Sequence, residues 1–220
     1  VDNTKPKRKP GGATGLNFNL NVTVTDDAEV QLIFDEQTGD IIKGKGSGDL
    51  TISINREGEF NIYGGYTIKT GEYLFTLLNI VNKPFKVAQG GTINWYGDPY
   101  GAQIRLDANY ATSTPIYNLL STELEVSQNE DLIRETRKTT QVLVTLHLTG
   151  DLFKPTITFD MTFPSLDTRL RTLADSKLRL MKQDQNELMR QVFGLLVVGT
   201  YLPTNSALGQ SSDYVTTAFN

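Results

Sequence analysis

His147 is the only histidine in the chain and cysteine is absent. Nucleophilic triads and thiolate-built or imidazole-built metal sites therefore have almost no material to work with. His147 stands between Leu146 and Leu148, on the opposite side of a strand from both, and reads as an exposed or loosely packed residue. Carboxylates come in adjacent pairs at Asp26-Asp27, Asp35-Glu36 and Glu130-Asp131. Neighbouring residues in turns diverge into solvent, whereas acid/base chemistry needs two carboxyls converging on one bond. The segment Gly39-Asp40-Ile41-Ile42-Lys43-Gly44-Lys45-Gly46 has the spacing of a phosphate-binding loop. However, Gly46 stands where a magnesium-binding hydroxyl belongs, and the next segment reads as a strand, leaving no helix N-terminus to receive phosphate. It is expected to be a Gly-rich turn. Trp95, Tyr96 and Tyr100 lie near one turn and could form a sugar-stacking platform, but Trp95 continues the face of Ile93 and reads as core. Asn21-Val22-Thr23 matches the glycosylation triplet but lies in mid-strand. The expectation is no enzyme chemistry, no cofactor and no metal site.

Composition narrows the partners. The formal charge is -4 over 220 residues, which disfavours a nucleic-acid binder, whose footprint is normally a basic face. The one basic concentration, Lys5, Lys7, Arg8 and Lys9 among Pro6, Pro10, Gly11 and Gly12, reads as a solvated tail. The chain opens Val1-Asp2-Asn3 and is expected to be a piece of a longer protein whose targeting information lies upstream. The longest dense apolar stretch, Val192 to Val198, is far short of the roughly 20 residues that cross a bilayer.

Any binding surface must be positioned by strands, because period-two alternation dominates from Leu16 to Phe163. Leu16, Phe18, Leu20, Val22 and Val24 alternate with polar residues. The pattern returns at Leu50, Ile52 and Ile54, and again at Phe60, Ile62, Tyr66 and Ile68. It recurs at Tyr73, Phe75 and Leu77, at Ile104, Leu106, Ala108 and Tyr110, at Val142 to Leu148, and at Ile157 to Phe163. Turn signals at Asn55-Arg56-Glu57-Gly58, Lys69-Thr70-Gly71, Gly90-Gly91 and Gly97-Asp98-Pro99 make the connections short, which favours antiparallel neighbours. Residues 121–140 are polar and read as a long connection with a short strand at Leu124 to Val126.

After Pro164 the period changes. Leu166, Leu170, Leu173, Leu180 and Met181 predict a helical stripe capped by Ser165 or Asp167, with Lys177 intruding on it. A second helix is predicted from Gln185, opened by the Asp184/Glu187 capping-box spacing, through Val198, with Gly199 as C-cap and Pro203 as stop. The organisation is thus a basic tail at 1–15, a β-rich unit at 16–164, a helical segment at 165–205 and a tail at 206–220. An apolar face along such a ladder must be covered by a second sheet, close on itself, or be reserved for a ligand.

An ordered set of motifs resembles the C-terminal domain of the TamB family. It comprises Gly48-Asp49-Leu50-Thr51-Ile52, Phe60-Asn61-Ile62-Tyr63-Gly64-Gly65-Tyr66-Thr67-Ile68, Gly71-Glu72-Tyr73-Leu74-Phe75, Lys83-Pro84-Phe85-Lys86-Val87, Gly90-Gly91-Thr92-Ile93-Asn94-Trp95-Tyr96-Gly97-Asp98-Pro99 and Leu106-Asp107-Ala108-Asn109-Tyr110. Leu148-Thr149-Gly150-Asp151-Leu152 and Gln191-Val192-Phe193-Gly194-Leu195-Leu196-Val197-Val198 continue the match. The resemblance implies a mainly β fold: an elongated, curled, antiparallel-rich sheet (the β-taco) with an apolar interior groove, followed by a short helical segment. It further implies a periplasmic module, anchored in the inner membrane through the full protein and docked onto an outer-membrane barrel of the TamA/BamA type. Such a module would conduct phospholipid acyl chains without chemistry.

The candidate groove residues are the apolar alternates Leu50, Ile52, Ile54, Phe60, Ile62, Tyr66, Ile68, Phe75, Leu106 and Val144, and the candidate partner-docking residues are Val192, Phe193, Leu195 and Leu196. Two other classes stay open. One is assembly of outer-membrane proteins by β-augmentation at exposed sheet edges, and the other is a carbohydrate-binding β-sandwich adhesin.

Overall fold

A computed structural model describes Gly15 and residues 17–35, 40–77 and 81–203. Nine strands form one antiparallel sheet: β1 (Phe18–Val24), β2 (Glu29–Asp35), β3 (Asp40–Ile54), β4 (Phe60–Leu77), β5 (Val81–Val87), β6 (Gly91–Gly97), β7 (Gln103–Pro115), β8 (Thr139–Asp151) and β9 (Lys154–Thr162). The order is β1-β3-β4-β5-β7-β8-β9, with β2 also on β3 and β6 between β4 and β7. Two pairs of short strands lie end to end. β1 covers Gly48 to Ile54 of β3 and β2 covers Asp40 to Lys45. β5 covers Gly71 to Leu77 of β4, and β6 covers Ile62 to Ile68.

The breaks between these pairs fall at one height. The turn Thr25 to Ala28 separates β1 from β2, and the stretch Ala88 to Gly90 separates β5 from β6. Between them the β3–β4 register shifts, with Lys45 opposite Thr70 and Gly46 opposite Ile68. Lys69 is therefore an extra residue in β4, a bulge that bends the strand and sharpens its twist. Gly46 sits at this line because nothing larger fits there: a Cβ would lie 2.1 Å from the Thr67 carbonyl oxygen. The line crosses four strand rows, whereas β7, β8 and β9 pair without a break.

The hairpin between β3 and β4 follows the turn chemistry in its sequence. The Asn55 side chain accepts from the amides of Glu57 and Glu59, and Gly58 takes a positive φ of 82°. Two expected turns are not turns. The described part of the Gly-rich stretch, from Asp40, is strand β3, because Gly44, Gly46 and Gly48 let that strand press against β4. Lys69-Thr70-Gly71 is the bulge inside one continuous strand. Strand β2, whose Val30 and Leu32 pack against the core, was not anticipated.

Residues 121–140 are also not a loop with a strand. They fold as α1 (Ser121–Ser127) and α2 (Glu130–Thr136) before β8 begins, with Leu124 and Leu132 buried and the Asn129 side chain capping the Leu132 amide at 3.0 Å. Leu124 to Val126 thus belong to a helix. The C-terminal helices are α3 (Thr168–Met181) and α4 (Gln185–Phe193), and α4 continues as a π-helical turn over Gly194–Val198. Asp167 caps α3 and Asp184 caps α4. The buried stripe of α3 is Leu170, Ala174, Leu178 and Met181. Leu180, expected on that stripe, points outward and is 61% exposed, since a spacing of four, four and three residues follows the 3.6-residue turn more closely. Of the expected basic tail at 1–15 only Gly15 is among the described residues, and the expected tail at 206–220 lies outside them.

Candidate functional site: an apolar sheet face partly covered by helices

Residues in register across an antiparallel ladder share a face. The pairs Ile54↔Phe60, Ile52↔Ile62, Leu50↔Gly64 and Gly48↔Tyr66 put the apolar alternates of β3 and β4 on one side, and Ile42↔Tyr73 carries that side past the bulge. Tyr66↔Ile93 and Ile93↔Ile104 extend it to β7, and Leu106↔Leu148 and Tyr110↔Val144 extend it to β8. Leu50, Ile52, Ile54, Phe60, Ile62, Tyr66, Ile68, Phe75, Leu106 and Val144 are therefore all neighbours on one wall.

The other face is polar and knits itself together. Thr23 donates to Asp49 at 2.8 Å, Thr51 to Asn21 at 3.0 Å, Thr145 to Asn109 at 2.8 Å and the Gln103 amide to Asp151 at 2.6 Å. His147 lies on this outer face, its Nδ1 2.6 Å from Asp107.

Burial along the apolar wall falls away toward the β3–β4 hairpin and β1. Tyr66, Ile68, Phe75, Leu106 and Val144 are at most 3% exposed and belong to one core with residues of α3 and α4. Phe75 packs edge-on against Tyr73, Phe85 and Phe159, with ring centroids 5.8–5.9 Å apart. Toward the hairpin the wall opens. Leu50, Ile52 and Ile62 are half-buried, while Phe18, Leu20, Ile54 and Phe60 are 36–46% exposed. Apolar residues on one face are thus core along most of the wall and exposed at its hairpin end. Phe18, Leu20, Val22 and Val24 of β1 belong to the open wall and were missing from the candidate set, although their alternation signals it.

Helix α4 and its π turn lie over one part of the wall. Met189, Val192, Phe193 and Leu196 pack on Phe75, Val81 and Phe159 around a void of only about 10 Å³, at most the room of one water. Of the partner-docking candidates, Val192, Leu196 and the half-buried Phe193 line this contact, and Leu195 is buried in the same core.

Polar groups lock α4 to the segment after it. Arg190 bridges Glu187 (2.8 Å) and the Pro203 carbonyl oxygen (2.8 Å). The Gln191 amide donates to the Leu202 carbonyl and its oxygen accepts from the Leu202 amide, both at 2.9 Å. Burial works against the Glu187 charge, but hydrogen bonds from Arg190 and Gln191 outweigh it and hold the carboxyl below its ordinary value. Lys177, expected to intrude on the α3 stripe, turns to Glu123 of α1 at 3.0 Å. Burial also drives the Tyr201 phenol far above its usual range, and its hydroxyl has no partner among the described residues.

The chemical candidates stay apart. Asp26 pairs with Lys69 across the bulge line and accepts from Ser47, which lowers its pKa, and Asp27 is held low by Thr25. Asp35 and Glu36 fall where side chains are not described. Glu130 and Asp131 begin α2, where Asp131 meets Arg134 at 2.5 Å. Among the described residues no group of three or more His, Asp or Glu side chains could hold a metal. The P-loop-like stretch is strand from Asp40 onward and presents no helix N-terminus. Trp95 lies half-buried against the core on the apolar wall, opposite the exposed Tyr96, and Tyr100 stacks with Phe153 at 5.7 Å. The three aromatics form no single platform.

A curled antiparallel sheet with a polar back, an apolar front and helices packed on part of that front defines the class: a mainly antiparallel β domain followed by short helices. The chain belongs to the TamB C-terminal domain family, whose profile matches residues 1–220, and so to the translocation and assembly modules of envelope biogenesis. Comparison with curated protein sequences and with solved structures finds no match. Among the described residues no helix is long and apolar enough to cross a membrane.

Proposed function

We propose that the exposed hairpin end of the apolar wall holds phospholipid acyl chains while head groups stay in water, as one station of a passive path between the inner and outer membranes. The observation that carries this reading is the exposure of Phe18, Leu20, Ile54 and Phe60 on a wall whose continuation is sealed core. Hydrocarbon burial is worth about 0.8 kcal/mol per methylene, so carrying a chain of about 16 carbons through water would cost up to about 12 kcal/mol. A trough of alternating apolar side chains removes most of that barrier and requires no cofactor. Membership in the family supports a periplasmic setting and an outer-membrane barrel of the TamA/BamA type as the docking partner, with the full protein anchored in the inner membrane.

Photocrosslinkers placed at Leu50, Ile52, Ile54, Phe60 and Ile62 in intact cells test the reading. Lipid adducts are the expected result, and protein adducts alone would overturn it. The second reading, assembly of outer-membrane strands by β-augmentation, draws on the terminal position of β1 and β2 in the sheet. It calls for protein adducts from outward positions on β1, such as Asn19 and Asn21.

A further inference from the structure

We propose that α4, its π turn and the following segment to Pro203 form a displaceable stopper, which lies on Phe75, Val81 and Phe159 when the trough is empty and leaves when acyl chains advance along the apolar wall from its exposed hairpin end. The inference rests on the lipid-trough reading and concerns the regulation of the same site.

Four observations converge on it. The stopper lies on Phe75, Val81 and Phe159, on the same apolar face whose hairpin end is exposed at Ile54 and Phe60, and it does so with Met189, Val192, Phe193 and Leu196, side chains as apolar as a hydrocarbon tail. A ligand arriving from the exposed end meets a competitor of its own chemistry.

Second, the stopper is internally tied. Arg190 and Gln191 bond Glu187, Leu202 and Pro203, all within the unit itself, so these bonds survive if the unit moves as one body. Toward the rest of the chain, Asn118 bonds the Tyr201 carbonyl at 3.2 Å and the Thr114 and Thr200 hydroxyls approach at 3.4 Å. By contrast α3 is fastened outward, through Lys177 to Glu123 and Lys182 to Asp160. The short link Lys182-Gln183-Asp184 between the two helices is the natural pivot.

Third, the seated state leaves a polar group unsatisfied. The buried Tyr201 hydroxyl lacks a partner among the described residues, a cost that release into water would remove. Fourth, the outward side of the π turn carries Val197 and Val198, 38% and 59% exposed. The π turn is therefore apolar on both sides, and π turns occur frequently at functional sites.

The chain has no native cysteine, so single thiols report on one position at a time. The test uses the full chain carrying Leu196→Cys or Met189→Cys, with Leu124→Cys in α1 as a fixed control. Maleimide alkylation is followed with and without vesicles of palmitoyl-oleoyl phosphatidylcholine, and a photocrosslinker at Phe60 in each variant reports trough occupancy. The expected result is lipid capture at Phe60 together with a rise of about tenfold or more in alkylation at positions 196 and 189, and no rise at 124.

Capture at Phe60 with both stopper thiols still protected overturns the stopper and leaves the trough standing. Absence of capture at Phe60 removes the trough and the stopper together. A second variant works without lipid. The Asn118 side chain ties the Tyr201 carbonyl to the rest of the chain at 3.2 Å, so Asn118→Ala should raise alkylation at Leu196→Cys in the empty protein. Unchanged protection in that variant counts against a loosely seated unit.

Discussion

Replacing Phe60 and Phe75 separately by alanine separates a surface kept open from a sealed core. The two phenylalanines lie on the same wall and in the same strand. Phe75 is 2% exposed and makes edge-on contact with Tyr73, Phe85 and Phe159. Truncating such a residue costs about 3–5 kcal/mol, through lost transfer energy and the cavity left behind. Phe60 is 46% exposed. Full burial of a phenylalanine side chain is worth about 1.5–3 kcal/mol, so roughly half of that, about 1 kcal/mol, is at stake there. In a chain of this size each kcal/mol moves Tm by about 2–4 °C. Phe75→Ala should therefore lower Tm by about 6–20 °C and Phe60→Ala by only about 2–4 °C. Thermal unfolding followed by circular dichroism, with urea titration as a check, measures both. The lipid retained by the folded variant should fall for Phe60→Ala despite its near-normal stability. If Phe60→Ala destabilises as strongly as Phe75→Ala, the hairpin end is part of a sealed core and the reasoning from exposure fails.

Three further outcomes follow from local chemistry. Glu187 has a folded-state pKa below its ordinary 4.5, so its contribution is present above that value and is lost as pH falls through the depressed native value. Hydrogen exchange in α4, corrected for intrinsic rates, should be flat from about pH 6 to 8 and rise only below about 4.5, and an equal rise in Glu187→Gln would refute the assignment. Tyr201→Phe removes a buried hydroxyl without a partner among the described residues and should leave stability unchanged or raise it by up to about 1 kcal/mol in urea titration, where a loss beyond about 1 kcal/mol would reveal a missed partner. Gly46→Ala forces a Cβ to within 2.1 Å of the Thr67 carbonyl oxygen and should cost about 1–3 kcal/mol of overpacking, with a wild-type urea midpoint contradicting the close approach.

The strand ladder was legible wherever one face is core and the other wet, as at Leu146, His147 and Leu148, because alternation then records both environments at once. The hairpin at Asn55 to Gly58 was legible for a local reason, since an asparagine that can bond its own backbone and a glycine with positive φ announce it. Strand β3 before Gly48 was hidden because its inward positions are Gly44 and Gly46, where tight strand contact takes the place of side chains. In β4 the apolar residues are even-numbered through Ile68 and odd-numbered from Tyr73. Sequence reading resolves such a switch by inserting a turn, whereas the fold resolves it by one bulged residue.

Helices α1 and α2 were hidden by polarity, since each buries little beyond Leu124 or Leu132, although Asn129 with Glu130 and Asp131 had the makings of a helix start. The shared face of the ten wall residues was visible from alternation. Which part is open was not, because that depends on where α4 lands, a contact between residues more than a hundred positions apart.

The bulge at Lys69 bears on how such a chain tolerates insertions and deletions. Losing Lys69 alone would leave Ile68 and Gly71 facing as they do now, at the expense of the bend and the tie to Asp26. Gaining one residue between Tyr66 and Ile68 would instead rotate either Phe60 and Ile62 or Tyr73 and Phe75 out of line with every neighbouring row. Length variation in this strand is therefore confined to a single site and a single direction, and descendants that keep the apolar wall must carry either this extra residue or none.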